Sequence, residues 1–282
     1  MPTQTLGSVT LLDATSGRTL RTLAPDTYPV GGVADERSGR VFIARVTGGE
    51  QRYARVDVRD ATSGRMLRTI VLPAQNGYDP ALAADARTGR VFIAYGSVVA
   101  LCRGCTNDGS SVSTIDAARG RIVKTTTVRP RGIATVGFVP GALAVDEGAG
   151  RVFATSYDTT TYDGRLSILD GTSGMSLRTV PVGKYPITVA AVTRSGRLLV
   201  VDGSYNNGQV SGAGAGAVRL LDEASGRMLR AVPISTGLPE AIAIDGTRAF
   251  MVDADNLISV FDVRTGRVIS IVDGTSGRSR PM

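Results

Sequence analysis

One turn pattern recurs along this chain of 282 residues and constrains its fold more than any other feature. The pattern is Asp-x-x-x-Gly-Arg, with an alternating apolar run before it and another after it. Copies begin at Asp13, Asp60, Asp116, Asp222 and Asp262, and a copy with Met in place of Arg begins at Asp170. Because strands place successive side chains on opposite faces, alternating runs around a Gly-containing turn predict β-hairpins.

A second hairpin pattern alternates with the first. It consists of a small apolar run, an Asp, a short turn ending in Gly-Arg, and then Val-Phe. Clear copies contain Asp35, Asp85 and Asp146, and weaker copies lead to Leu198 and to Phe250. Together the two patterns repeat every 40–55 residues or so, with several strands per unit, which is typical of a propeller or a similar array.

The repeat predicts an all-β fold, a β-propeller of four-stranded antiparallel blades with strands A to D. The Val-Phe hairpin supplies A and B, and the Asp-x-x-x-Gly-Arg hairpin supplies C and D. We expect a single domain over residues 1–282, with an orphan C–D hairpin at about 7–24, five complete blades at about 30–72, 80–128, 140–182, 187–234 and 240–272, and a tail at 273–282. The N-terminal half blade leaves two alternatives open. Either a ring closes with half a blade, or the chain is part of a longer protein with a six- or seven-bladed ring.

The Asp and Gly of the first pattern have a structural explanation. An Asp side chain accepts hydrogen bonds from backbone N–H groups two or three residues later, and Gly supplies the positive φ that such a turn requires. We therefore predict turn roles for these residues, with positive φ at Gly17, Gly64, Gly120, Gly226 and Gly266.

Composition narrows the functional classes. The chain has no His, which removes Ser-His-Asp and Cys-His catalysis and the commonest ligand of zinc, copper and iron. The formal charge is +7, and all basic residues except Lys124 and Lys184 are Arg. Arg suits phosphate, but most of these Arg share a turn with Asp or Glu, so nucleic-acid binding is possible without being favoured. No apolar run is long enough to span a membrane, and no signal peptide is visible.

Two strings in the second blade resemble a known repeat. They are Val91-Phe-Ile-Ala-Tyr95 at the end of strand B and Val112-Ser-Thr-Ile-Asp116 at the end of strand C. This unit, repeated over most of the chain, looks like the YVTN, or YncE-like, β-propeller repeat. The resemblance implies a propeller that is usually exported in bacteria and archaea, here to a periplasm or the outside, and mostly without known enzymatic activity. Related propellers include lactonases, and this chain differs in its blade number and in lacking the usual Asn after strand B.

The loops suggest which face of the propeller binds a ligand. The A–B and C–D turns share one face and are short, whereas the D–A and B–C connections share the other and are expected to be longer and varied, as functional loops often are. All eight Tyr fall on that second face. The predicted ligand-binding residues are Tyr28, Tyr78, Tyr95, Tyr157, Tyr162, Tyr185 and Tyr205. The alternative is that these rings pack between blades at the sheet edge.

Three functions remain compatible with these features. We favour a non-enzymatic binding or scaffold propeller that recognises an unknown protein or small molecule through the Tyr-bearing face, with no cofactor and no metal. The first alternative is a carboxylate- or metal-dependent hydrolase resembling the lactonases, with acids such as Asp158, Asp163, Asp202 and Asp253 near the pore. The second is nucleic-acid binding through the Arg-rich turns.

The insertion at 96–111 contains the pair Cys102 and Cys105. Such a C-x-x-C pair could be half of a zinc site, a redox pair or a local disulfide. The chain has no other Cys and no His, and a βαβ setting for a redox motif is missing. We favour a disulfide that staples the loop in an exported protein.

Our first testable prediction concerns these cysteines. Because no second pair of Cys or His ligands exists in the chain, Cys102 and Cys105 should hold no metal in the monomer. Purified, chelator-washed protein should contain no stoichiometric zinc by elemental analysis. Zinc at one equivalent per chain would contradict the assignment.

Overall fold

The computed structural model describes most of the chain, and the account below is confined to those residues. They are residues 8–13, 16–23, 29–47, 53–75, 80–96, 110–128, 138–158, 161–193, 195–206, 209–211, 216–234, 239–276 and 279–280. Strands and turns make up this part of the chain, and it holds no helix with the length and apolar character needed to cross a membrane.

The strands follow the chain in groups. A first hairpin, which we call the half blade, has β1 (Val9–Leu12) and β2 (Thr19–Leu23). Blades 1 to 3 comprise β3 (Pro29–Asp35), β4 (Arg40–Thr47), β5 (Tyr53–Asp60), β6 (Met66–Gln75); β7 (Ala81–Asp85), β8 (Arg90–Gly96), β9 (Ser110–Asp116), β10 (Arg121–Thr127); and β11 (Phe138–Asp146), β12 (Arg151–Asp158), β13 (Asp163–Asp170), β14 (Ser176–Lys184). Blades 4 and 5 comprise β15 (Pro186–Val192), β16 (Arg197–Asp202), β17 (Ser204–Asn206), β18 (Gln209–Ser211), β19 (Ala217–Asp222), β20 (Met228–Pro233); and β21 (Pro239–Asp245), β22 (Arg248–Asp253), β23 (Leu257–Asp262), β24 (Val268–Asp273), β25 (Ser279–Arg280).

The sheets confirm the predicted all-β propeller with a half blade and five blades. Blades 1 to 3 are four-stranded antiparallel sheets in chain order, and blade 4 is the sheet β15-β16-β19-β20 with the small hairpin β17-β18 inserted between B and C. Blade 5 differs from the prediction, because β25 pairs with the outer edge of β24 and adds a fifth strand. The innermost strands β3, β7, β11, β15 and β21 pack one against the next.

The repeated turns form as their residues predict. In the turn that begins at Asp60, the Oδ1 atom accepts hydrogen bonds from the backbone N–H and the hydroxyl of Ser63, both at 2.7 Å. These bonds, the backbone one foremost, hold the pKa of the Asp60 carboxyl below its usual value. Gly64 donates its N–H to the Asp60 carbonyl at 2.9 Å and has a φ of 71°. The prediction of positive φ is confirmed at Gly17, Gly64, Gly120, Gly226 and Gly266.

The cores lie between neighbouring blades. Along β4, Phe42 points into the core shared with blade 2, whereas Val41 and Ile43 point into the core shared with the half blade. The same alternation builds a core at each successive junction up to blades 4 and 5. Each buried side chain of this size contributes roughly 1.5–3 kcal/mol by leaving water, so a blade depends on both of its neighbours.

Two glycines with similar positive φ allow a test of the packing between the half blade and blade 1. Gly39 and Gly64 have φ of 63° and 71°, but a Cβ on Gly39 would meet no described atom within 4 Å, whereas a Cβ on Gly64 would stand 2.7 Å from Leu23 Cδ2. Gly39→Ala should lower the free energy of unfolding by about 1 kcal/mol, the cost of positive φ. Gly64→Ala should lower it further, because it also pushes against the half blade.

Thermal and urea denaturation of both variants would measure the difference. Equal destabilisation would mean that the half blade does not pack on the turn of blade 1 in solution.

Candidate functional site

Three tyrosine side chains meet at the junction of blades 3 and 4. The ring centroids of Tyr157 and Tyr185 are 4.6 Å apart, and Tyr162 lies 6.3 Å from the first and 6.4 Å from the second. Tyr157 is 9% exposed, and the other two are half-buried. We call these three residues the tyrosine cluster. Centroid distances of this size are typical of aromatic pairs that stabilise each other beyond simple burial.

Tyr162 is held by the B–C turn of blade 3. Strand β12 ends at Asp158, whose carboxylate accepts the N–H of Thr161 at 2.9 Å and whose carbonyl accepts the N–H of Tyr162 at 2.8 Å. Tyr162 then adopts a φ of 61°, and β13 begins at the next residue, Asp163. The turn thus places an aromatic ring where Gly or Asn is usual.

Tyr185 alone connects strand D of blade 3 to strand A of blade 4. Its φ is 52°, and Pro186 follows it directly. Its N–H donates to the carbonyl of Tyr162 at 2.9 Å, and its own carbonyl accepts the N–H of Gly203 at 3.0 Å. Bulky residues in this backbone region cost of order 1–3 kcal/mol each and are found mainly at functional sites. Backbone bonds on both sides therefore lock this strained connection between two blades.

An ion pair between the buried Asp202 and the half-buried Arg219 lies beside this connection. Arg219 donates from Nε and Nη2 to Oδ2 of Asp202, at 3.0 and 2.7 Å, and the Ala217 N–H donates to Oδ1. Burial raises the pKa of the Asp202 carboxyl even though Arg219 opposes the shift. A Cβ on Gly183, two residues before Tyr185, would overlap the Asp202 carboxylate. The close approach of the two blades therefore requires Gly at position 183.

The structure brings together three of the predicted ligand-binding residues. Tyr95 is only 4% exposed, and its hydroxyl lies 3.0 Å from the Ser113 hydroxyl, so its ring packs between blades 1 and 2 instead of facing solvent. Strand β17 contains the backbone of Tyr205, but its side chain is outside the described part of the molecule. Tyr28, Tyr78, Cys102 and Cys105 lie outside the described residues.

The expectation of longer connections on this face is wrong at two places. The D–A connection of blade 3 is the single residue Tyr185, and the B–C connection of blade 5 is only 254–256. In blade 5, Asp253 Oδ1 accepts the N–H groups of Asp255 and Leu257 at 3.0 and 2.9 Å. This turn can be short because the Asp253 carboxylate accepts the hydrogen bonds that hold it.

The carboxylates considered for hydrolysis have structural partners in their own blades. Asp158 and Asp253 accept backbone N–H groups of their turns, and Asp202 pairs with Arg219. Asp163 is exposed at the start of β13. Over the residues that the structure describes, no group of three or more Asp, Glu, Cys or His is arranged to hold a metal ion.

The opposite face contains a cleft of about 250 Å³ between the turns of blades 1 and 2, with Arg37, Arg90 and Arg119 in its lining. Arg90 and Arg119 contact Asp116 at 3.5 and 2.7 Å. Arg37 donates to the carbonyl of Arg87 in the neighbouring turn at 2.8 Å. Arg37 and Arg90 therefore join one turn to another, whereas Arg119 contacts a carboxylate of its own turn.

A buried carboxyl pair at the far end of the blade 3–4 junction was missed from the sequence. Glu223, 2% exposed, contacts Asp146 of blade 3, and its Oε1 lies 3.8 Å from Arg151 Nη1. Burial, and then the neighbouring Asp146 charge, raise the pKa of the Glu223 carboxyl to about 7. A signal existed in the repeat, since the residue after the turn Asp is small or apolar in the other copies: Ala14, Ala61, Ala117, Gly171 and Val263.

Comparison with known proteins agrees with the fold. No family model and no curated protein matches the sequence. Among solved structures, the chain resembles U3-55K, a WD40 β-propeller protein, with a TM-score of 0.60 over 94% of this chain and 69% of that chain. The two sequences are 14% identical, so the likeness concerns architecture alone. By its sheets and by this likeness, the chain is a β-propeller.

The carboxyl pair predicts how stability depends on pH. The folded protein binds a proton at Glu223 with a pKa of about 7, whereas a free Glu releases it near 4.5. The stabilisation is therefore complete below pH 4.5 and is lost as pH rises through 7. Glu223→Gln keeps a hydrogen-bond donor for Asp146 without needing a proton, and should raise stability at pH 8 by about 1–3 kcal/mol.

Melting temperatures of wild type and Glu223→Gln between pH 5 and 8 would measure this effect. The wild-type value should fall more steeply across that interval than the value of the variant. The exposed Glu36→Gln change is the control and should follow the wild type. Parallel curves for wild type and Glu223→Gln would show that the pair does not hold a proton.

Proposed function

We propose that this protein is a non-enzymatic binding or scaffold propeller, and that the tyrosine cluster is part of its recognition surface. The observation that carries the proposal is the convergence of Tyr162 from a B–C turn and Tyr185 from a D–A connection on Tyr157. Both peripheral rings rest on positive-φ backbone and are partly open to solvent.

Tyrosine suits such a role for physical reasons. Its ring offers apolar contact area, its hydroxyl can donate or accept a hydrogen bond, and only two side-chain torsions must be fixed on binding. The cluster is flanked by exposed charges of both signs, Asp163 and Lys184, which can orient a polar partner around an aromatic centre. Propellers commonly serve as scaffolds or binding domains, and this surface fits that use.

The hydrolase alternative has less support in the described residues. Its buried acids are Asp158, Asp202 and Asp253. Backbone N–H groups or Arg219 bind an oxygen of each one, and only Oδ2 of Asp253 has no hydrogen-bond partner among the described residues. Hydrolysis by carboxylates requires two acids that face one substrate, or a metal that they share. The contacts of these three carboxylates instead support roles in turn formation and blade packing.

Nucleic-acid binding has less support for a similar reason. A phosphate-binding surface needs guanidinium groups that are free to reach the backbone of the nucleic acid. On the face formed by the A–B and C–D turns, Arg40 donates to the Ala117 carbonyl at 2.9 Å, and Arg90 and Arg119 contact Asp116. The Arg40 bond joins turns of neighbouring blades, and the two contacts to Asp116 lower the local positive charge.

A peptide-display experiment tests the proposal and does not require the partner to be identified first. Peptides selected on the wild-type protein would be re-measured by fluorescence anisotropy against Tyr162→Asn. Asn tolerates positive φ, so this change removes the ring without adding backbone strain. We expect binding to weaken by about 1–2 kcal/mol, roughly tenfold, as for an aromatic anchor.

The control is Arg65→Ala on the opposite rim, which should leave affinity unchanged. If the selected peptides bind Tyr162→Asn normally but lose affinity for Arg65→Ala, with strong salt dependence, the recognition surface is the face formed by the A–B and C–D turns. The proposal for the tyrosine cluster would then be wrong.

A further inference from the structure

Leu12 occupies a core position of the repeat but is exposed. It is the last residue of strand C before the turn Asp, and in blades 2 to 5 this position faces the preceding blade. Its exposed fraction is 56%, against 0, 0, 1 and 2% for the equivalent residues Ile115, Leu169, Leu221 and Phe261. The half blade therefore presents to solvent a side chain that every later junction from blade 2 onward buries.

A polar position on the same face shows the same difference. Thr10 Oγ1 lies 3.5 Å from Thr22 Oγ1, which repeats the pairs Ser113–Thr125 and Ser167–Thr179 of blades 2 and 3. Thr10 is exposed, whereas Ser113 and Ser167 are fully buried by the preceding blade. We call the surface formed by Thr10 and Leu12 the N face.

Blade 5 has the complementary feature. Phe250 stands at the position on strand B that faces the following blade, and it is partly exposed. Its equivalents are fully buried, namely Phe42, Phe92, Phe153 and Leu199.

Val252 and Ile258 behave in the same manner. Both are half-buried, whereas their equivalents Val201 and Val218 in blade 4 are 0 and 1% exposed. We call the surface formed by Phe250, Val252 and Ile258 the C face. Each of the four junctions between complete blades packs a surface of the C type against one of the N type.

We propose that the C face of one copy of this chain docks on the N face of a second copy, head to tail. The internal junctions show what covers each surface, and the two open surfaces carry the two halves of that contact. Arg248 supports the pairing, because it is exposed and corresponds to Arg40, which donates across the blade 1–2 junction to the Ala117 carbonyl.

This interface is heterologous, since different patches meet on the two copies. Such contacts continue from copy to copy unless the geometry closes a ring. The half blade contributes only two strands to the contact, which limits the area of the interface. We therefore expect the associated fraction to rise with protein concentration. Light scattering during size-exclusion chromatography should show dimers and larger species of the wild type as the loading concentration increases.

Single-face variants distinguish head-to-tail association from other modes. Leu12→Glu blocks only the N face, and Ile258→Glu blocks only the C face, so each variant alone should be monomeric. Mixed in equal amounts, they should form dimers and nothing larger, because each supplies the one face that the other lacks. Val123→Glu, at an exposed position on the outer strand of blade 2, is the matched control and should associate like the wild type.

Circular dichroism of each variant checks that the sheets are intact, and Val252→Lys replaces Ile258→Glu if the latter does not fold. The proposal is overturned by a wild type that stays monomeric at every concentration, as closure of the ring within one chain would produce. It is equally overturned if the mixture of folded single-face variants stays monomeric, or if Val123→Glu abolishes association as fully as Leu12→Glu.

Discussion

Every complete blade in the middle of this protein buries both faces of its sheet, and the rest of the structure depends on that requirement. Phe42 and Ile43 are neighbours in β4, they point to opposite neighbours, and both are fully buried. Strands buried on both sides lose the simple alternation of apolar and polar residues, which explains the near-continuous apolar B strands. One such sheet cannot be stable alone, so the fold exists only as an array.

Polar pairs inside this apolar setting fix the register of the C–D hairpins. Asp57 accepts from Thr69 at 2.9 Å, and the hydroxyls of Ser113 and Thr125 are 2.8 Å apart at the same place in the next blade. A slip of one residue in either strand would put the two groups of a pair on opposite faces of the sheet, so each would lose its partner. The constant separation of the two residues follows from the turn, whose Asp and Gly set its length.

Local features were predictable from the sequence, and contacts between distant residues were not. The turn at Asp60 follows from side-chain chemistry within five residues, so its positive φ at Gly64 was predicted correctly. The order of hairpins and connections along the chain predicted the face on which Tyr162 and Tyr185 lie. It did not predict that the two rings meet. It depends on a one-residue connection between blades 3 and 4 that no local pattern indicates.

The misassigned and missed residues have the same origin. Tyr95 was placed on the binding surface because it ends a B strand, yet its ring extends along the blade to reach Ser113. The partner of Glu223 is Asp146, in another blade, so only the tertiary structure reveals the pair. A charged residue at a repeat position that is otherwise small or apolar was the one sequence sign of the pair.

The blade 3–4 junction combines strain at one end with a titratable pair at the other. The positive φ of Tyr162 and Tyr185 is offset by the backbone bonds to Tyr185 N–H and Gly203 N–H, which tie two blades together. Rings held in this manner lose little freedom when a partner binds, so more of the contact energy remains as affinity. Glu223 lies at the opposite end of the strands, and sites so separated in a rigid sheet act nearly independently. Protonation of Glu223 should therefore change how firmly the blades are joined and leave the geometry of the tyrosine cluster unchanged.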